Sequence, residues 1–140
     1  IMQSAIIGFF SGIAVILIVA LFRRFDKNLI YGLILAGIGF IYVGFSWSDP
    51  GLLIINSLQA ILFLFIAYFG VKWNFYILIA GYFLHGIWDL IYYHAADAAL
   101  VPPHYDLFCS ILDFTVGLFL LIVKYRSGVK TKISNTANQV

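Results

Sequence analysis

FLHGIWDLIYYH, residues 83–94, decides how many times the chain crosses a bilayer. The stretch is apolar and aromatic enough to lie in hydrocarbon, yet it carries His85, Asp89 and His94. Read as the latter half of a span it gives five spans, and the polar groups within it then need a reason to be buried.

Composition fixes the setting in which that reason must be sought. Hydrophobic residues make up 64% of the 140 residues and charged residues 10%, with a mean hydropathy of +1.04; a soluble domain of this length is excluded. A hydrocarbon core of roughly 30 Å needs about 20 apolar residues per helix, so the chain has room for four or five helices and short loops. The net charge of +2 carries no nucleic-acid signal, because the basic residues sit at the ends of apolar runs, where topology explains them. A single cysteine, Cys109, excludes an intramolecular disulfide.

Working outward from residues 83–94, the apolar runs are 2–22, 29–46, 51–70, 74–93 and 106–123, each near spanning length. The fold expected is an all-α integral membrane bundle of five helices, one domain over residues 1–126, with 127–140 a polar, flexible cytoplasmic tail. The breaks RRFDKN, WSDPG, VKWN and AADAALVPPHYD carry turn punctuation, and short connections imply antiparallel neighbours. Lys and Arg fall in the first connection (Arg23, Arg24, Lys27), the third (Lys72) and the C-terminal end (Lys124, Arg126, Lys130, Lys132). These three places share one side of a five-span chain, which puts the N-terminus outside and the C-terminus in the cytoplasm. The first run has its positive charges after it and no small-residue cleavage pattern, so it reads as a retained helix rather than a signal peptide.

On that orientation Asp49, Asp89, Asp97, Asp106 and Asp113, with His85, His94 and His104, all map to the outer half, away from every Lys and Arg. At about 1.5 Å per residue, His85, Asp89 and Asp113 lie roughly 9–15 Å deep. His85 and Asp89 are four apart and share a face, as do Cys109 and Asp113 on the next span. Asn56, Ser57 and Gln59 enter from the same side on the third span, and Tyr82 lies near His85. The expectation is an outward-opening, water-accessible cavity lined by Asn56, Gln59, Tyr82, His85, Asp89, Cys109 and Asp113, with Trp88 the one tryptophan placed to join it. An ionised carboxylate in hydrocarbon costs at least ~2.5–3.5 kcal/mol, so the aspartates are protonated, hydrated or paired.

Several partners fit. His85, Asp89, Cys109 and Asp113 are all donors a transition metal such as Zn accepts. The plainer alternative is a His–Asp network tying the last two spans together, at about 0.6 kcal/mol per intramembrane hydrogen bond. His94 and His104 read as interfacial residues, Trp47 and Trp73 as belt residues, and Cys109 alone as a small buried hydrophobe. Gly8 with Gly12, and Gly32 with Ala36, permit close helix packing, either within one chain or in a homo-oligomer. No phosphate loop, nucleophile elbow, HExxH or dinucleotide fingerprint is present.

The pattern H-x-x-W-D (His85, Trp88, Asp89) followed by C-x-x-x-D (Cys109, Asp113) resembles a group of small, uncharacterised bacterial integral membrane proteins. The likeness covers the last two spans. It implies a bacterial cytoplasmic membrane and a shared polar unit, and it supplies no activity. Three functions stay open: a cavity binding a cation or small ligand, with a link to transport; a membrane-embedded, metal-dependent enzyme acting on a lipid or apolar substrate through His85, Asp89 and Asp113; and a packing module of a membrane complex. An acid-rich, base-free cavity favours the first on electrostatic grounds.

Overall fold

The polar breaks between the apolar runs are helix caps. Asp26 accepts from the amides of Asn28 at 2.9 Å and Leu29 at 3.3 Å, and Asp49 does the same for Gly51 at 2.9 Å and Leu52 at 3.1 Å, with Pro50 at the first helical position. Asn74 accepts from the Tyr76 amide at 3.0 Å. Each cap satisfies amides that the first turn leaves without an intrahelical partner.

The computed structural model describes residues 1–95 and 101–137. All regular structure among them is helical: α1 (Met2–Leu21), α2 (Lys27–Gly39), α3 (Ile41–Phe45), α4 (Pro50–Lys72), α5 (Phe75–Ala95) and α6 (Tyr105–Ala137). Helices α2 and α3 form one interrupted span, Lys27–Phe45, so five stretches are long and apolar enough to cross a membrane. Large apolar side chains face outward on them, among them Phe10, Leu17, Leu33, Leu58, Leu62, Leu84 and Leu118, as lipid contact requires and water does not permit over so wide an area. The chain is a multi-pass helical bundle.

The segment from residue 127, read as a polar tail, continues α6 as helix to Ala137; no proline interrupts it, and a helix already nucleated in the span propagates at little cost. One feature departs from the sequence reading. Short connections were expected to make sequential helices neighbours, yet α1 touches α2 only slightly and packs along α6. The cause is the small-residue stripe. A Cβ on Gly8 would stand 2.5 Å from the Phe108 carbonyl oxygen, and one on Gly12 2.9 Å from Thr115 Cβ. Gly32 likewise lies against Val71 of α4, so both small-residue pairs serve packing within the chain.

Helix α5 occupies the middle, between α6 and α4 and touching α2. Of its spanning window 44% is buried, against 17% for α1, so the most polar span is also the most enclosed. Leu35, Phe63, Leu78, Tyr82, Val116 and Leu120 form the apolar core around it. Asp97, expected on the outer side, lies outside the described residues.

Candidate functional site

The buried positions of α5 include Leu78, Tyr82, His85, Asp89 and Tyr92, and those of α6 include Asp106, Ser110, Asp113, Val116 and Leu120. Both series step by three or four, the mark of a single inward face. The two faces meet. Ser110 Oγ donates to the Gly86 carbonyl at 2.8 Å, and this holds the helices in register for the contact one turn deeper. There His85 Nδ1 lies 2.7 Å from Asp113 Oδ2 and 3.4 Å from Asp89 Oδ2. Exposures of His85, Asp89 and Asp113 are 1%, 0% and 1%. His85 sits near the middle of α5, so the cluster lies well inside the span.

At 2.7 Å a carboxylate oxygen accepts the Nδ1 hydrogen, which leaves Nε2 as the second functional atom of the ring. That atom has no hydrogen-bond partner among the described residues; neither have the two oxygens of Asp89 or Oδ1 of Asp113. One imidazole supplies at most one positive charge against two carboxylates, and the Lys and Arg residues belong to the other end of the spans. Charge balance in hydrocarbon therefore demands at least one further proton or a cation between these groups.

The surroundings are close-packed. The Phe63 ring meets His85 edge-on at a centroid distance of 4.7 Å. Toward the end of the bundle opposite the Lys and Arg residues, Tyr42 and Tyr92 lie ring against ring at 4.4 Å, with Phe45, Trp88, Val101 and Tyr105 packed on them. Tyr42 Oη donates to Asp106 Oδ1 at 2.9 Å. Between the two polar stripes Asn56, Tyr82, Asp89 and Ser110 are each 0% exposed, with aromatic side chains packed beside them.

The residues singled out in the sequence thus separate into groups. His85, Asp89 and Asp113 present donor atoms within 4.8 Å of one another. Cys109, half-buried one turn from Asp113, is outside that group. Asn56 belongs to a separate network: its Nδ2 donates to Ser46 Oγ at 3.0 Å and to Tyr92 Oη at 3.2 Å. Tyr82 turns its hydroxyl to the Tyr31 carbonyl at 2.7 Å and acts as a strut to α2. Gln59 is 5% exposed, and among the described residues neither of its amide atoms nor Trp88 Nε1 has a hydrogen-bond partner. His94 and His104 flank Tyr93 at 5.1 and 6.2 Å, apart from the cluster.

One participant was missed by sequence reasoning. Phe63 forms a wall of the site; its spacing of four from Gln59 on the inner face of α4 was the available signal. Tyr42 packs at the end opposite the Lys and Arg residues, positioned by the break at Phe40, whose amide bonds to the Gly37 carbonyl in a tighter turn. The three-fold occurrence of glycine in AGIGFIYVG, residues 36–44, marks that break.

No curated protein and no solved structure matches the chain. A family model does, over residues 3–126, which hold the His85–Asp89–Asp113 cluster and nearly all of the five spans. The chain belongs to that family, a family of unknown function designated DUF6010.

Proposed function

We propose that the protein is a cation-binding membrane protein in which His85, Asp89 and Asp113 hold one divalent transition-metal ion, Zn by preference. The observation that carries this reading is the convergence of one imidazole and two carboxylates, all at most 1% exposed, with donor atoms within 4.8 Å of one another. Donors about 2.0–2.2 Å from a tetrahedral Zn lie roughly 3.4 Å apart, and His85 Nδ1 and Asp89 Oδ2 are separated by 3.4 Å. Asp113 reaches the same ion by turning its carboxylate from the hydrogen it now accepts. A neutral imidazole with two carboxylates and one divalent ion is electrically neutral, the cheapest state for a site in hydrocarbon.

Purified protein supplied with Zn is expected to hold close to one ion per chain by elemental analysis. Loading should release about two protons per ion into weakly buffered solution, because the ion replaces the protons that balance the carboxylates. Asp89→Asn should weaken retention at least about 100-fold, amide oxygen being a poorer ligand. Wild-type protein that holds neither Zn nor Mn nor Fe, and releases no protons, would remove the proposal.

A second reading rests on His85 Nε2. With Nδ1 held by Asp113, that nitrogen is oriented as a general base, which fits an enzyme acting on a lipid-borne substrate. Failure to bind metal together with hydrolytic or isomerising activity lost in His85→Gln would favour it.

The placement of Lys and Arg supports an orientation with the C-terminus in the cytoplasm. A reporter fused after Val140 should then be cytoplasmic and one inserted next to Trp47 external; both on one side would refute it.

A further inference from the structure

A groove of about 500 Å³ runs between α4 and α5 on the lipid-facing side. Its rims are Leu58, Leu62, Leu84, Ile87 and Ile91, each about half exposed. Its size falls in the range of small-molecule sites. What separates it from ordinary lipid-facing surface is polar. Gln59 lines it while 95% buried by its exposure of 5%, with neither the donor nor the acceptor of its amide paired among the described residues, and Trp88, also lining it, has an unpaired indole N–H. Gln59 is about 14 Å into α4 at 1.5 Å per residue, deep enough that no headgroup or bulk water serves it.

We propose that this groove binds a neutral single-chain lipid carrying a hydroxyl group. The hydroxyl both donates and accepts, matching the carbonyl of Gln59 and the N–H groups of Gln59 and Trp88; these atoms lie just beneath the groove surface, and the side chains turn outward to meet it. Its chain lies along the apolar rims. Charge selects a neutral head: the groove has no Lys or Arg, and Asp89, adjacent to Trp88 in sequence, disfavours a phosphate or carboxylate. The Phe63 ring forms the inner wall and touches His85 on its far side. A lipid bound here is one side chain away from the proposed cation site without needing it to be filled.

The test uses the full chain in phosphatidylcholine nanodiscs and a long-chain primary alcohol carrying a mid-chain diazirine. After photolysis, adducts should concentrate on the peptides of α4 and α5 that hold Leu58–Leu62 and Leu84–Ile91, and excess unlabelled alcohol should suppress them. Gln59→Leu removes the hydrogen bonds without removing volume and should cut this labelling about tenfold. Because it also removes two unpaired buried atoms, the variant should fold at least as well as wild type. The matching diazirine alkane, and the matching carboxylate, should label the groove no more than they label Phe10 and Leu17 of α1. Labelling spread evenly over α1 and α4, or unchanged by Gln59→Leu, would overturn the proposal, as would equal labelling by the alkane or the carboxylate. Metal content measured in the same samples keeps this result separate from the fate of the cation site.

Discussion

Asp113→Leu is expected to lower stability by about 3–5 kcal/mol, the range found when one partner of a buried ionic pair is removed. The magnitude comes from what is left behind. Leucine takes away the acceptor 2.7 Å from His85 Nδ1 and leaves that buried N–H only the more distant Asp89 oxygen, at 3.4 Å. Asp113→Asn keeps an acceptor at the same place and should cost only about 1 kcal/mol, since an intramembrane hydrogen bond averages about 0.6 kcal/mol. Thermal or denaturant unfolding of metal-free protein in one detergent measures both. Metal retention should follow a different order, because asparagine is a poor ligand and leucine none: both variants should release the ion. Unequal stability with equal metal loss separates the structural work of Asp113 from its work as a ligand. Equal, small losses of stability in the two variants would mean that the 2.7 Å contact does not tie α5 to α6.

The same residues show what a sequence makes legible and what it hides. His85, Asp89 and Asp113 could be grouped without a structure, because helical spacing puts each on an inward face and the cost of burying them in hydrocarbon makes chance placement improbable. Five spans followed from length and apolarity alone. The packing between the faces did not follow. Periodicity tells which residues share a face but not how far apart two faces stand, nor that the rings of Phe63, Tyr42 and Tyr92 pack there. Acidic residues were also pooled too freely. Asp49 caps α4 and Asp106 accepts from Tyr42, local tasks that a count of outer-half carboxylates cannot distinguish from a site. The pairing of α1 with α6 was invisible for another reason: it joins the first span to the last, and nothing in either segment names the other.

That pairing predicts a large effect far from the cluster. Gly8→Leu should destabilise the bundle by about 3 kcal/mol, the upper part of the usual overpacking range. A Cβ at residue 8 would meet the Phe108 carbonyl oxygen at 2.5 Å and Ile111 Cβ at 3.2 Å. The first obstacle is backbone, so no rotamer change relieves it, and α1 must move away from α6 along most of their contact. Gly37→Leu is the control, because a Cβ there meets nothing within 4 Å and the position is open to lipid. It should be neutral or stabilising by up to about 1 kcal/mol through helix propensity. Phe108, Ile111 and Thr115 meet α1, whereas Ser110 and Asp113 meet α5, so the two contacts use different faces of α6. Gly8→Leu should therefore unfold more easily yet, while folded, retain metal as wild type does. Parallel loss of stability and metal would mean that α1 shapes the cluster through α6, and equal tolerance of leucine at residues 8 and 37 would refute the close approach of α1 to α6.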